Sequence, residues 1–337
     1  MGKRFSLFFG IAMLAVLSIP SVALGVTRDS MAMYRLYNPN TGEHFYTASN
    51  DESFDLELAG WTLEGVGWFA PSEGPEVYRL YNPNAPGGDH HYTTSPEECD
   101  VLVRAGWVYE GVGWRTASAE GAVSLHRLYN PNAATGTHHY TPDAAERDRL
   151  VSLGWRYEGI GWYGVSENEA AVDYLTYYVE ELNERGWGAT PAEAREDLEL
   201  INKLILYNGF GFSSSSIEYA FENAQIDWGE QAVKDVRDFC FIGMPGGEHW
   251  SRRELQDHLL RGGFTEEQAA YGIKHGVRSS FSTAAARRAD VLLNPSYTAN
   301  PPKTRDETVE RLLGFGFELS EAEYGADHKP DGSPRAW

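Results

Sequence analysis

The sequence predicts an α+β protein in which a β-rich aromatic repeat module with pseudo-threefold symmetry precedes an all-α helical repeat domain. Two observations lead to this prediction. An aromatic motif recurs three times between residues 34 and 163, and after Ser166 the apolar residues change to the spacing of three and four that helices show. We therefore divide the chain into residues 1–25, 26–166 and 167–337.

The first 25 residues have the layout of a secretory signal peptide. Lys3 and Arg4 precede an apolar run from Phe5 to Pro20, and small residues follow. This run is shorter than the roughly 20 residues that cross a bilayer core. We predict cleavage after Gly25 and a secreted chain that is extracellular or associated with the cell wall, without a membrane span. An uncleaved anchor helix is the alternative.

Charge and cysteine content exclude several classes of function. The chain has 28 basic and 49 acidic residues, a formal net charge of -21, so it repels phosphate backbones and anionic lipids, and we expect no nucleic-acid partner. Two cysteines cannot build a disulfide framework or a four-thiolate zinc site. Cys240 lies in an apolar run and is predicted to be a buried structural thiol. A disulfide with Cys99 after export is the alternative.

Each copy of the aromatic motif contains the same four segments. YRLYNPN or HRLYNPN is followed by HFYT or HHYT, then by a GW pair and by EGVGW or EGIGW. The interval from the first histidine to the GW glycine is 16 residues in every copy, whereas the loop after NPN varies in length. This pattern predicts a unit of strand, turn, strand, helix and strand, with the variable loop exposed to solvent.

One such unit cannot bury its apolar face alone, so the three units are expected to close around a shared aromatic core. The closure could be trefoil-like or propeller-like. The tryptophans of the GW and EGxGW segments are expected to supply most of this core: Trp61, Trp68, Trp107, Trp114, Trp155 and Trp162.

Aromatic rings beside carboxylates and amides favour sugar binding, because rings stack on CH faces while polar groups bond to hydroxyls. The candidate ligand-binding residues are the histidines and tyrosines of the HxYT segments and the first asparagine of each YNPN. They are His44, Tyr46, His90, His91, Tyr92, His138, His139, Tyr140, Asn38, Asn82 and Asn130. Three near-identical copies favour multivalent binding over a single catalytic centre.

Two other interpretations of the repeats remain open. The first histidine of each HxYT segment could converge on the threefold axis and bind a metal, although spacings of 46 and 48 residues give no local ligand pair. The glutamate of each EGxGW segment, Glu64, Glu110 or Glu158, could belong to a glycosidase carboxylate pair. Because the chain has no other catalytic or nucleotide-binding motif, we predict a non-enzymatic protein without a metal or cofactor.

The three copies resemble a family of bacterial extracellular repeats of unknown function, recognised by YRLYNPNTGEHFYT followed by GWxxEGIGW. The resemblance covers residues 34–163. Such repeats commonly lie beside cell-wall hydrolases and other surface modules of Gram-positive bacteria. The resemblance therefore implies that this chain attaches to a cell-wall glycan or polysaccharide, and it implies no individual ligand residue.

A second, weaker repeat occurs in residues 167–337. A phenylalanine is followed seven residues later by a tyrosine and a small residue in three places, and we predict that each phenylalanine and tyrosine lies in the core. The pairs are Phe212 with Tyr219, Phe264 with Tyr271 and Phe317 with Tyr324. Helices led by serine or threonine are expected after the phenylalanines. The clusters Arg252-Arg253 and Arg287-Arg288 are predicted to be solvated helix surface.

WSRRELQDHLLRGGFTEEQAAYGIKH at 250–275 and SIEYAFENAQIDWGEQAVKDVRDF at 216–239 resemble the helix-turn-helix repeats of the Ltp family. These are host-cell-surface-exposed lipoproteins of Gram-positive bacteria and their phages, and some members block phage DNA entry from outside the membrane. We expect a wall-binding surface protein whose helical repeats contact a protein partner. The resemblance implies phage superinfection exclusion or host interaction as the alternative.

Overall fold

The computed structural model describes residues 29–118, 122–200, 212–241 and 249–337, so the predicted signal peptide lies outside the described residues. The chain divides into two compact units, Met1–Val165 and Ser166–Trp337. Three antiparallel sheets in the first unit precede helices in the second, which confirms the predicted α+β class.

The first unit contains the same sheet three times, in the predicted order of two strands, a helix and a third strand. The first repeat consists of β1 (Ser30–Tyr37), β2 (His44–Thr47), α1 (Asn50–Leu58) and β3 (Thr62–Pro71). The second consists of β4 (Glu76–Tyr81), β5 (His90–Thr93), α2 (Pro96–Arg104) and β6 (Val108–Arg115), and the third of β7 (Val123–Tyr129), β8 (His138–Thr141), α3 (Ala144–Ser152) and β9 (Arg156–Gly164). In every sheet the long first strand lies between the other two.

The sequence sets both ends of each short helix. Ser49, Ser95 and Asp143 are the N-caps, and each side chain accepts a hydrogen bond from a backbone N–H in the first turn. The glycine of each GW pair follows the helix with φ between 94° and 98°, a conformation that other residues rarely adopt. The chain can therefore reverse at this point and enter the third strand.

The three repeats share one aromatic core in two layers. Rings of Tyr46, Tyr92 and Tyr140 contact one another with centroids 5.6–5.9 Å apart, and those of Trp68, Trp114 and Trp162 lie 5.3–5.7 Å apart. The EGxGW tryptophans are thus core, as predicted. The prediction was wrong for the GW tryptophans, which are only half-buried: Trp61, Trp107 and Trp155. Each repeat keeps its own three-stranded sheet, and all three strands of a sheet contribute to this core, as Met33 (β1), Tyr46 (β2) and Trp68 (β3) do.

The second unit is helical, as predicted, and its described helices form three groups of three. They are α4 (Glu167–Glu184), α5 (Pro191–Leu200), α6 (Ser214–Asn223), α7 (Trp228–Phe241), α8 (Arg252–Arg261), α9 (Glu266–Gly276), α10 (Phe281–Leu293), α11 (Arg305–Phe315) and α12 (Leu319–Asp327). The first and third helices of a group pack closely through small residues. A Cβ on Gly272 of α9 would lie 2.7 Å from the Cβ of Ala232 on α7.

The prediction that the repeated tyrosines lie in the helical core was wrong. Phe264 and Phe317 are buried, but Tyr219 and Tyr271 are exposed. The residue that enters the core is the small one that follows each tyrosine, because only alanine or glycine fits where the helices touch. Successive helical residues are turned by about 100°, so the tyrosine before it points away from the contact.

The prediction that Arg288 is solvated helix surface was also wrong, since its side chain is only 6% exposed. Its guanidinium forms an ion pair with Glu254 at 2.7 Å, donates to the His249 carbonyl oxygen at 3.1 Å and lies over the Phe315 ring. An arginine can be buried when its donors are paired in this way. Arg252 and Arg253 on α8 are exposed, in agreement with the prediction.

Cys240 is buried in the core of the second helical group, as predicted, and Cys99 is half-buried. The two cysteines do not form a disulfide with each other. Within the residues that the structure describes, no helix is long and apolar enough to cross a bilayer.

Candidate functional site

The arginine of each RLYNPN segment joins neighbouring repeats through two ion pairs. It contacts the EGxGW glutamate of its own sheet and a glutamate on the helix of the preceding repeat. The pairs are Arg35 with Glu64 (2.9 Å) and Glu146 (3.0 Å), Arg79 with Glu110 (3.0 Å) and Glu52 (2.9 Å), and Arg127 with Glu158 (2.8 Å) and Glu98 (2.8 Å). We name these junctions seam A (Arg35), seam B (Arg79) and seam C (Arg127).

The first histidine of each HxYT segment lies in a different seam. The Nε2 atoms of His44, His90 and His138 are 3.3, 3.6 and 3.5 Å from the EGxGW glutamate of the same repeat. Each ring packs on a residue of the preceding repeat, which is His139 in seam A, Phe45 in seam B and His91 in seam C. Because the histidines pack in separate seams, the geometry offers no support for a metal on the axis. No group of three or more metal-ligating side chains occurs in the described part of the chain.

The second histidines, His91 and His139, are almost completely buried. Their Nε2 atoms lie 3.3 and 3.4 Å from Glu98 and Glu146, but neither contact has the geometry of a hydrogen bond. Burial lowers the pKa of His139 to about 4. This imidazole is therefore neutral at neutral pH.

The seam carboxylates are held in the charged form. The nearby His139 imidazole, with further contributions from Thr141 and Arg35, lowers the pKa of Glu146 well below its usual range. Burial opposes ionisation of Glu98, but the nearby His91 imidazole and the hydrogen bonds from Arg127 and Thr93 outweigh it and lower its pKa strongly. The ion pairs of the seams therefore remain formed at acidic pH.

The HxYT tyrosines lie on the axis, where they connect all three repeats. The Tyr46 hydroxyl donates to the Tyr140 carbonyl oxygen at 3.0 Å, Tyr140 to that of Tyr92 at 2.8 Å, and Tyr92 to that of Tyr46 at 3.4 Å. Burial raises the pKa of all three phenols. The structure thus places these predicted site residues in a closed ring of hydrogen bonds.

The asparagines that were predicted to bind a ligand stabilise turns of the backbone. The Oδ1 atoms of Asn38, Asn82 and Asn130 each accept a hydrogen bond at 3.0 Å from the backbone N–H two residues later. Two acidic residues that sequence reasoning missed connect the loops that follow: Glu43 accepts the His90 N–H at 2.9 Å, and Asp89 accepts the Gly136 N–H at 3.0 Å.

Seam A contains a cavity of about 200 Å³. Its lining is Tyr37, His44, Glu64, His139, Glu146, Arg149, Leu150 and Trp155. The cavity brings together two predicted site residues, His44 and His139. Sequence reasoning missed Arg35 and the helix glutamate of each seam, although the signal was present, since both types recur at the same position in every copy.

Fold and site together define a β-rich module of three sheets, joined by ionic seams and followed by helical repeats. Residues 32–165 match the family model of a domain of unknown function, DUF5648. This match spans the three sheets. No curated protein and no solved structure matches the chain.

Proposed function

We propose that this protein is a secreted, non-enzymatic cell-surface protein that attaches to a cell-wall glycan through its aromatic module. The observation that supports this proposal is the seam A cavity, where the Tyr37 and Trp155 rings stand beside imidazole, carboxylate and guanidinium groups. A sugar ring presents CH faces for stacking and hydroxyls for hydrogen bonds, and a cavity with both kinds of group suits it.

The aromatic wall of this cavity is held in place. Trp155 follows Gly154 at the end of α3, is half-buried, and meets the edge of the His139 ring at 6.2 Å. The Tyr37 ring packs against His44 at 5.1 Å. Rigid rings lose little conformational entropy when a ligand binds, which favours recognition of weakly binding sugars.

The state of the carboxylates supports binding rather than hydrolysis. Glycoside hydrolysis requires a general acid whose pKa is raised. In seam A, contact with His44 lowers the pKa of Glu64, and contact with His139 lowers that of Glu146. Both carboxylates also pair with Arg35, so neither is suited to donate a proton.

We assign contact with a protein partner to the helical repeats. Tyr219 and Tyr271 occupy equivalent exposed positions on α6 and α9, and exposed tyrosines are common in protein interfaces. Residues 167–337 carry 17 basic and 30 acidic side chains, which favours a basic partner surface. The alternative role in phage exclusion or host interaction would use the same repeated face.

Sedimentation of the full secreted chain with insoluble peptidoglycan tests the proposal. We expect saturable retention that soluble wall sugars compete away. Trp155→Ala should weaken retention about fivefold or more through loss of stacking. Tyr109→Ala is the matched control, since Tyr109 is an exposed aromatic residue of β6 that does not line the cavity.

Absence of retention above an albumin control would refute attachment to glycan. Equal losses in the two variants would show that the cavity is not the binding site. Turnover of peptidoglycan that Glu110→Gln abolishes would instead make the protein a hydrolase.

A further inference from the structure

We propose that only seam A is a complete binding site, and that it takes a sugar that carries a carboxylate, which Arg149 binds. This inference depends on the proposed attachment to glycan and names its chemistry. The three seams have equivalent frames of one arginine, two glutamates and one histidine.

One helix position distinguishes the seams. Three residues after the seam glutamate, α3 has Arg149, α1 has Asp55 and α2 has Val101. In seam A this position lines the cavity. The three repeats therefore present a cation, an anion and an apolar group at the same place on equivalent helices.

These residues change the charge of each seam. The shared arginine and two glutamates contribute a net charge of -1 to the frame of each seam. With the residue at this helix position the sum is zero in seam A, -2 in seam B and -1 in seam C. Glu43, whose carboxylate is 2.6 Å from His90, adds a further negative charge to seam B. In a chain with a formal charge of -21, seam A is the one of the three that least repels an anion.

Arg149 is available for a ligand. Its side chain is exposed, and its guanidinium makes no ion pair within the described residues, whereas Arg35 in the same seam is held by two carboxylates. A guanidinium presents two parallel N–H donors that match the two oxygens of a carboxylate. Arg149 can therefore bind an acidic group without breaking an existing pair.

The inner wall of the cavity offers a second recognition group. His139 is 1% exposed, lines the cavity, and its Nε2 atom has no well-oriented hydrogen-bond partner. A buried polar atom without a partner carries a desolvation cost that a ligand hydroxyl or amide would relieve. Phe45 occupies the equivalent position in seam B, which thus lacks both groups.

Two disaccharides that differ by one carboxylate test the inference on the full secreted chain. N-acetylglucosaminyl-N-acetylmuramic acid carries a lactyl carboxylate that N,N′-diacetylchitobiose lacks. In a calorimetric or NMR titration we expect one site per chain and about fivefold tighter binding of the acidic disaccharide. Arg149→Val, which installs the residue of the second repeat, should remove this preference, so that the two disaccharides bind within about twofold of each other.

Arg104→Val is the control, because Arg104 is an exposed arginine at the end of α2 outside the cavity lining. Val101→Arg is the converse test and should add a second acidic-sugar site in seam C. Three equal sites, or a preference that survives Arg149→Val, would overturn the inference while leaving the proposed attachment to glycan intact. Failure of both disaccharides and of insoluble peptidoglycan to bind would overturn the attachment itself.

Discussion

The two units use repetition in different ways. In the aromatic module, one buried cluster draws residues from all three sheets, including Tyr46, Trp114 and Leu125. In the helical unit, two described clusters each take their buried residues from a single group of three helices, α7 to α9 in one and α10 to α12 in the other. Loss of one side chain from these clusters should therefore affect every repeat of the module but only one group of helices.

The residue types follow from this difference. A tyrosine at the axis reaches the backbone of the next repeat through its hydroxyl, so every copy needs the same long side chain. A helix crossing instead requires that side chains be small, as at Gly325 against Ala285. The three repeats of the module therefore have the same residue at each axis position. The helical groups share only a small residue where the helices cross.

The largest expected effect is on the shared core. Trp114→Ala should cost about 3–5 kcal/mol of the free energy of unfolding of the module, since it leaves a cavity on the axis. Hydrogen exchange of the full chain, measured peptide by peptide in denaturant, should show protection falling in all three sheets together. Tyr109→Ala on the exposed face of β6 serves as the control, with a change within about 0.5 kcal/mol. Loss confined to the second repeat would contradict the shared core.

Acid should weaken the module through its buried histidines. The folded pKa of His139 is about 4, below its usual value of 6.5. Between these values the unfolded chain binds a proton that the folded chain does not, so stability falls as the pH falls through this range. From pH 7 to pH 5, His139 alone should account for a loss of about 2 kcal/mol.

His139→Phe, which installs the residue that the first repeat has at Phe45, should reduce this acid-dependent loss. The measurement is the denaturation midpoint of the module at both pH values. His275→Phe, at an exposed position on α9, should leave the loss unchanged. An equal acid-dependent loss in wild type and His139→Phe would show that His139 is not the buried neutral base described above.

The smallest effect is expected in the helical unit. Gly272→Ala introduces a methyl group where Ala232 allows no space, at a cost of about 1–3 kcal/mol that helix propensity offsets by up to about 1 kcal/mol. A net loss of about 1 kcal/mol should be confined to exchange in α7 to α9. Gly314→Ala on α11 meets no atom within 4 Å and should instead stabilise its helix. Destabilisation of the aromatic module by Gly272→Ala would show that the helical cores are not independent.

Much of the fold could be predicted from spacing, because each element is specified locally. The caps Ser49 and Ser95, the GW glycines and the alternation of apolar residues all act within a few positions of the chain. The exposure of Tyr271 and the burial of Arg288 could not be predicted in the same way, since both depend on residues from other helices.

The candidate site shows the same division. Recurrence identified the HxYT histidines and tyrosines, but it could not distinguish a residue repeated for the core from one repeated for a ligand. A tyrosine equivalent to Tyr46 and a histidine equivalent to His44 occur in all three repeats. Tyr46 nevertheless lies on the axis, whereas His44 lines a cavity. The residue that makes seam A different, Arg149, does not recur at all.

The sequence by itself determined the repeat unit, the order of its strands and helices, and the change from β-rich to helical structure at the middle of the chain. These features depend on backbone preferences and on the period of apolar residues, which are local. Tertiary structure alone decided which repeated side chains meet at the axis and which single arginine faces the cavity. Those contacts join residues about 50 to 110 positions apart, such as Arg35 and Glu146, and such distances follow only from the packing of one sheet on the next.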